Sequence, residues 1–386
     1  MKKMLAIAAG AVLFSTAALA DNAIQAKDGL GDFLIAPVYF AKGDICSRIV
    51  VYNTNTTHSI LAKVAIREQT KSSEVDFPIF LSPGDVWSGT LCQKNGDVYL
   101  TSDDDSNHPQ ISTLLAQGKN ITKQSEKAGN VDVDFKTGYV EIYPIAEFDE
   151  GSEKKVDKSV LVKRWDMLIK GEYPSNTIRS GVDGYSLTGE IDYETKGNIT
   201  TILPMMAFKG THDKVLTGSA IAYGNDTGPD ILLGTKKRVQ LLKLMQHNST
   251  MFTYTNYGKD QYVVFTYPFG YAKDQVRKYK ITVRDMSENK DEKPKEVIIF
   301  SPAPKIKKPI NTMEKEVVVL SVADIINKTK NPGMYKEGQI QITDITNVSN
   351  VQLGAGKNAS FIPTFVSFGE NQQAEYVNSA HYIPVK

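Results

Sequence analysis

The feature that most limits the fold of this chain is a series of short apolar runs, each ended by a turn signal. Residues 60–68 alternate strictly between two faces: Leu61, Lys63, Ala65 and Arg67 against Ala62, Val64 and Ile66. A period of two is typical of a β-strand with one half-buried face. The next run, Phe77 to Leu81, ends in Ser82-Pro83-Gly84-Asp85, a strong turn sequence.

Further runs of this kind follow one another at similar spacing through the first part of the chain: 34–40, 47–53, 86–91, 98–101, 131–135 and 138–146. Many short strands separated by turns favour an antiparallel sandwich. We therefore predict a mainly β fold, with one or more immunoglobulin-like β-sandwiches. The segment 103–130 is polar and is predicted to be mostly loop.

The second half of the chain is more mixed and predicts a few short helices. Helical patterns occur over Val160–Ile169, Asp230–His247 and Val322–Lys330. A charged run at 149–158 indicates a solvated loop or a domain boundary. The predicted domains are a β-sandwich at 21–148 and a second β-rich domain at 149–386. The second is packed on the first or shares strands with it.

The N-terminus has the three parts of a secretory signal peptide, predicted to span residues 1–20. Lys2 and Lys3 precede an apolar run from Met4 to about Leu13, and the segment closes on Ala18-Leu19-Ala20. The run is shorter than the roughly 20 residues that span a bilayer. We therefore expect an exported protein whose mature chain begins at Asp21, located in the periplasm or at the cell surface.

Two cysteines remain in the mature chain, Cys46 and Cys92. An even count in an oxidising compartment predicts a disulfide between them, linking a strand start to a strand end. Two free thiols with a catalytic or metal role are the alternative, but neither residue belongs to a C-x-x-C pair. Trp87 is expected in the same core, beside Val64 and Phe80.

The charge balance gives no sign of a nucleic-acid partner. The full chain has a formal net charge of +1, from 45 basic and 44 acidic residues. Such a chain lacks the electrostatic footprint of a protein that binds phosphate backbones. No later apolar stretch is long enough for a transmembrane helix, so we expect none after signal cleavage.

Motifs that carry chemistry are absent from the sequence. There is no H-E-x-x-H, G-x-S-x-G or phosphate-binding loop, and the five histidines have no ligand-spaced partners. A catalytic site assembled from residues that are distant in the sequence is kept as an alternative. The one candidate metal site is a calcium site at Asp103, Asp105 and Asn107, whose oxygens match the start of a calcium loop. The pattern then fails, since His108 stands where the loop needs Gly, and a solvated polar turn is the alternative. No other cofactor is predicted.

Three blocks of the first part resemble an uncharacterised family of exported, β-rich cell-envelope proteins of Gram-negative bacteria: Val51-Tyr52-Asn53-Thr54, Lys63 to Glu68, and Leu81 to Trp87. Later segments at 138–142 and 263–268, and Ile362-Pro363 with Phe368, are also similar to that family. The family has no established activity. The resemblance therefore implies an envelope location and a β-rich fold, and it assigns no site residues.

Together these observations predict a non-catalytic structural or interaction protein of the envelope, with itself or other envelope components as partners. A binding module for glycans or another extracellular ligand is the first alternative, since 18 Tyr and 15 Phe offer stacking surfaces. A hydrolase with a non-local site is the second.

Overall fold

The computed structural model describes residues 23–151, 156–172, 177–178, 186–211, 234–245, 249–254, 260–269, 277–285, 295–301, 317–327, 337–344, 361–368 and 373–376. The predicted signal peptide at 1–20 lies outside these residues. Within them the chain is mainly β, with antiparallel sheets, as the alternating runs predict.

The strands of the first half are β1 Ile24–Gln25, β2 Phe33–Phe40, β3 Ile45–Asn53, β4 His58–Glu68, β5 Glu74–Leu81, β6 Val86–Lys94, β7 Asp97–Thr101, β8 Lys119–Asn120, β9 Thr137–Asp149, β10 Thr177–Ile178, β11 Leu187–Thr195, β12 Asn198–Pro204 and β13 Met206–Lys209. Those of the second half are β14 Ser249–Tyr254, β15 Gln261–Thr266, β16 Arg277–Asp285, β17 Lys295–Ser301, β18 Val317–Ser321, β19 Gly338–Asp344, β20 Ile362–Ser367 and β21 Gln373–Tyr376. The helices are α1 Pro109–Ala116, α2 Ile121–Lys127, α3 Lys158–Lys170, α4 Gly234–Leu244 and α5 Val322–Asn327.

These strands form four sheets. Sheet A has the order β1-β13-β2-β9-β4-β5, with β10 paired to β9, and sheet B has the order β12-β11-β3-β6-β7-β8. Sheet C has the order β14-β19-β16-β17, and sheet D has the order β18-β15-β20-β21. We call sheets A and B the first module, and sheets C and D the second module.

The two sheets of the first module share one apolar core. Trp87 of sheet B is fully buried, and its ring lies 5.6 Å from that of Phe77 in sheet A. Tyr193 of β11 donates its hydroxyl to the carbonyl of Val38 in β2, at 2.8 Å. Trp87 therefore lies in the predicted core, on the side of β5 that faces sheet B.

The expectation that Phe80 lies beside Trp87 is wrong. Phe77 and Phe80 are three residues apart in β5, so a strand places them on opposite faces of sheet A. The ring of Phe80 contacts Trp165 of α3 at 6.0 Å. Phe80 and Trp165 belong to a second apolar cluster, formed by α3 on the outer face of sheet A.

Helix α3 begins and ends where its sequence provides caps. The side chain of Asp157 accepts a hydrogen bond from the Ser159 amide at the N-terminus. Gly171 adopts a left-handed conformation with φ 78° at the C-terminus. The pattern at 160–169 predicted this helix correctly. Its buried side chains are those of Leu161, Trp165 and Leu168.

The predicted division after residue 148 does not coincide with a break in the sheets. Strand β11 pairs with β3 along its whole length and extends sheet B. Strand β13 pairs with β2 and extends sheet A. The first module therefore reaches Lys209, because strands that follow the charged run return to the sheets that precede it.

Two local expectations for the first half differ from the structure. The polar segment 103–130 contains α1 and α2, since His108 and Asn120 cap their first turns through their side chains. The alternating residues 131–135 form no strand. Asp132 has a positive φ of 57°, which a strand does not allow, and the segment crosses the end of the first module as a loop.

The second module contacts the first through backbone and aromatic groups. The Val317 amide of β18 donates to the carbonyl of Gln69 at 3.1 Å. The hydroxyl of Thr266 donates to the carbonyl of Pro37, and the Phe269 amide donates to the hydroxyl of Tyr139. These contacts fix sheet D against the ends of β2, β4 and β9, and they define the walls of a cleft between the modules.

Candidate functional site

A cleft of about 450 Å³ lies at the junction of the two modules. The first module contributes the end of β2, the turn after it, Gln69 after β4 and the start of β9. The second module contributes β15, β18 and the first turn of α5. The lining residues are Phe40, Lys42, Ile45, Gln69, Asp134, Lys136, Thr137, Tyr262, Val319, Ser321 and Asp324. The volume falls in the range of small-ligand and peptide sites.

Gln69 and Asp134 hold the wall of the first module in place. The side-chain amide of Gln69 donates to Asp134, whose other carboxylate oxygen accepts from the Lys136 amide at 3.1 Å. The carbonyl of Gln69 accepts from Val317 of the second module. Gln69 therefore links the loop at 131–136 to sheet D, and it sets the width of the cleft.

Aromatic rings line one side of the cleft. Tyr262 lies 5.7 Å from Phe40 and 6.2 Å from Phe368, measured between ring centroids. Phe40 and Phe368 meet edge to face at 5.5 Å. Burial raises the pKa of the Tyr262 hydroxyl, and the carboxylates of Asp260 and Asp324 raise it further. The phenol is therefore neutral at physiological pH and can donate or accept a hydrogen bond.

Both signs of charge occur at the cleft. Lys42 is exposed and Lys136 is half-buried, and neither has a carboxylate within ion-pair distance among the described residues. The carboxylate of Asp134 is held by Gln69 and the Lys136 amide. Asp324 lies in the first turn of α5, where the helix dipole stabilises a negative charge. The two ammonium groups are thus the charges available to a ligand on the side of the first module.

A second cavity of about 340 Å³ adjoins the cleft and shares Asp134 and Lys136 with it. It extends along the loop at 131–136 toward Val98 and Thr122. Sequence reasoning missed both cavities. The walls of the cleft come from segments as far apart in the sequence as Phe40 and Asp324, and no short motif marks either cavity.

The predicted disulfide is confirmed. Cys46 and Cys92 lie opposite each other on the paired strands β3 and β6, with a Cα–Cα distance of 4.6 Å and a bonded sulfur pair. The bridge lies toward one end of sheet B. It joins the beginning of β3 to the far end of β6, as expected, and takes no part in the cleft.

The three predicted calcium ligands have different surroundings. Asn107 is buried, and its side-chain oxygen accepts from the indole of Trp87 at 2.8 Å. Asp103 is exposed, and Asp105 lies 3.7 Å from the ammonium of Lys158. Among the described residues, no group of three or more His, Cys, Asp or Glu side chains is placed to hold a metal ion. The calcium site stays a prediction.

Lys158 supplies the positive charge in this region. Its ammonium contacts Asp85, donates to the hydroxyl of Ser106 at 2.9 Å and donates to the carbonyl of Phe80 at 2.8 Å. The first residue of α3 thereby fastens the loop after β7 to the turn after β5. A cation at Asp105 would have to compete with this lysine.

The two histidines that the structure describes have structural contacts. His58, the first residue of β4, contacts the side chains of Thr57 and Asn55 in the preceding turn. His108 accepts from the Gln110 amide and packs edge to face on Phe80. His212, His247 and His381 lie outside the described residues. A hydrolase with a non-local site therefore stays a hypothesis that the described histidines do not support.

A buried ion network on the outer face of sheet A is the strongest electrostatic feature that the sequence did not predict. Arg67 of β4 contacts Glu141 of β9 at 2.5 Å and Glu74 of β5 at 2.6 Å. Tyr143 donates to the same oxygen of Glu141 at 2.6 Å. Farther along, Lys63 pairs with Asp76 at 2.9 Å and is 1% exposed.

The pKa shifts of this network follow from burial and pairing. Burial raises the pKa of Glu74 and lowers that of Lys63. Burial opposes the charge of Arg67, but Glu141 and Glu74 together raise its pKa. The alternation in residues 60–68 predicted a half-buried strand. That expectation is wrong for β4, because its polar face is covered by α3 and by residues that follow the first module.

No family model and no curated protein matches this chain. Among the described residues, no helix has the length and apolar character needed to cross a membrane.

Proposed function

We propose that this chain is an exported, non-catalytic interaction protein of the cell envelope, which binds a partner in the cleft between its two modules. The observation that carries the proposal is the cleft itself. It combines an aromatic wall, two lysines that form no ion pair within the described part of the chain, and polar groups of both modules in one accessible volume.

We further propose that each module is an immunoglobulin-like β-sandwich. In support, sheets A and B share one core around Trp87, and every strand of sheets C and D pairs antiparallel. Signal cleavage after Ala20 and delivery to the periplasm or the cell surface complete this proposal. A Cys46–Cys92 bridge suits such an oxidising compartment.

A glycan-binding site is the second candidate, and Tyr262 is the observation that favours it. Its half-buried ring lines the same cleft as the side chains of Gln69 and Asp134, and an aromatic face combined with planar polar groups suits a sugar ring. A glycan array with the purified mature chain tests this candidate. Binding that is lost in Tyr262→Ala would establish it.

Site-specific photo-crosslinking in intact cells tests the main proposal. A photoreactive side chain at exposed position 42 should yield a discrete adduct with a protein partner or a second copy. The matched control is Lys163, which is exposed on α3 near the start of β4, away from the cleft. Equal yields at positions 42 and 163, or none at 42, would rule out the cleft as the binding site.

Export is tested separately by fractionation and mass spectrometry. The mature protein should begin at Asp21, in the periplasmic or surface-released fraction. A cytosolic protein that retains Met1–Ala20 would contradict the envelope location, without bearing on what the cleft binds.

A further inference from the structure

One strand edge opens directly into the cleft. Among the described strands, β18 is at the edge of sheet D and pairs with β15 alone, with Val319 opposite Val264. Val319 and Ser321 of this strand line the cleft. The backbone groups on the free side of β18 are therefore candidates for binding.

Two hydrogen bonds fix which backbone groups of β18 point outward. The amide of Val317 donates to Gln69 of the first module, so Val317 faces away from β15. On the far side of β15, the amide of Phe368 donates to the carbonyl of Asp260. Even-numbered residues of β15 thus face β20 and odd-numbered residues face β18. The Val317 and Phe368 hydrogen bonds thus lead to the same assignment of inward and outward backbone groups in β15 and β18.

Antiparallel strands alternate between pairs that exchange hydrogen bonds and pairs that do not. The backbone N–H and C=O groups of Val318 and Leu320 therefore bond to β15. Those of Val317, Val319 and Ser321 point away from β15, toward the cleft. The amide of Val317 is bonded to Gln69. For the outward backbone of Val319, no hydrogen-bond partner exists among the described residues.

The sequence of β18 lacks the residues that usually protect an edge strand, as does that of β14 at the edge of sheet C. Strand β18 reads Val-Val-Val-Leu-Ser and contains neither a proline nor a charged residue. Proteins commonly protect free edges with such residues. Two other edge strands of this chain follow that rule: β5 contains Pro78 and charged residues, and β12 ends in Pro204. The edge of β18 thus lacks the residues that hinder strand addition, and Val319 and Ser321 of this strand line the cleft.

We propose that the cleft binds an extended peptide segment of a partner protein, which adds as a strand to the outer edge of β18. This inference rests on the proposed role of the cleft as a binding site and names the class of ligand. Main-chain hydrogen bonds to Val319 supply affinity, as in other cases of strand addition. Apolar side chains of the peptide meet Phe40 and Tyr262, and an acidic side chain meets Lys42 or Lys136.

Hydrogen exchange of the mature protein tests the edge without any ligand. The amides of Val318 and Leu320 should exchange slowly, whereas that of Val319 should exchange at least ten times faster. A slow Val319 amide would show that the edge is already bonded and would overturn the proposal.

Binding is tested with a displayed library of random linear ten-residue peptides, selected on the mature protein and then synthesised. Val319→Pro removes one outward amide and leaves the ladder to β15 intact, so it should weaken a selected peptide at least tenfold. Val319→Thr keeps the amide but changes the same side chain, so it is the matched control, and the tenfold loss is measured relative to it. If Val319→Pro does not fold, two sets of selected peptides are used instead, N-methylated at either the odd or the even amides. Only the set whose methylated amides face β18 should lose binding.

The outcomes separate this inference from the broader proposal. Selected peptides that bind Val319→Pro and the natural chain equally would overturn strand addition. Strand addition would also be overturned if no peptide could be selected. A glycan that binds the cleft of Val319→Pro as tightly as that of the natural chain would overturn it too. In each of these cases, a discrete crosslink from position 42 would still support the cleft as a binding site.

Discussion

The outer faces of sheets A and B are made from neighbouring segments with the same alternating pattern, yet they have different environments. In sheet B, Arg48 of β3 is 37% exposed and pairs with Asp192 of β11 at 2.5 Å. In sheet A, Arg67 of β4 is 8% exposed and pairs with Glu141, which is fully buried. An arginine on the outward-facing side of a strand is thus in contact with water in sheet B and with protein in sheet A.

The difference shows that alternation in sequence identifies two faces of a strand but not what covers them. The polar face of β4 is buried because α3 and elements of the second half pack over it. These elements are separated from β4 by about a hundred residues or more. Buried charges need partners, and the partners of Arg67 come from β5 and β9, the two strands that flank β4.

The largest expected effect comes from breaking the buried network of sheet A. Arg67→Met should leave Glu141 and Glu74 as buried carboxylates without their counter-charge. Removing one partner of a buried ion pair typically costs about 3–5 kcal/mol of unfolding free energy. Chemical denaturation of the mature protein measures this loss.

Lys123→Met is the control for that experiment. Lys123 pairs with Glu126 on α2, and both side chains are about half exposed. Exposed pairs contribute little because water solvates each charge. An unchanged denaturation midpoint is expected for Lys123→Met. An equally small effect of Arg67→Met would mean that water reaches the outer face of sheet A.

The second prediction concerns the disulfide of sheet B. The Cys46–Cys92 bridge closes a loop with a sequence separation of 46 residues. The chain-entropy model gives such a loop a stabilisation of at most about 4 kcal/mol. The double variant Cys46→Ser, Cys92→Ser should therefore melt at a lower temperature than the natural chain. Reduction of the natural protein should lower its melting temperature by the same amount. Equal melting temperatures for all three forms would contradict a stabilising role.

The parts of the fold that the sequence predicts are those with local signals. The alternation at 60–68, the turn after Leu81 and the capped helix around Trp165 each depend on residues close in the chain. The burial of Trp87 and the single disulfide follow from the apolar character of tryptophan and from the even cysteine count. In these cases hydrophobic period, capping and cysteine count suffice.

The cleft could not be predicted in this way. Gln69 follows a strand, Asp134 lies in a loop that the alternation at 131–135 misidentifies as a strand, and Val319 belongs to the second module. Gln69 and Asp134 lie close together because β4 pairs with β9, and Val319 lies near them because sheet D packs against the ends of those strands. Sequence patterns at short range contain no record of such long-range pairing.

The third prediction concerns Lys158, which links the outer face of sheet A to the loop after β7. Lys158→Met should remove the charge that neutralises Asp85 and should cost about 2 kcal/mol, as for hydrogen bonds between charged groups. Because the ammonium also lies near Asp105, calcium should raise the melting temperature of the variant more than that of the natural chain. The same calcium response in both proteins would show that Lys158 does not compete with a cation.

The smallest expected effect is a pH dependence that arises from His108 on the outer face of sheet A. Burial lowers the pKa of His108 below its ordinary value of 6.5, while Asp166 of α3 opposes the shift. The unfolded chain therefore binds more protons than the folded chain just below pH 6.5, so stability should fall as the pH decreases through this window.

His108→Asn keeps a side-chain acceptor for the Gln110 amide and removes the titrating ring, so its stability should fall less over the same pH range. Urea denaturation of both proteins between pH 7.5 and pH 5 measures the difference. Parallel curves would show that His108 is as easily protonated in the folded protein as in the unfolded chain, and hence that this part of sheet A is open to water as sheet B is.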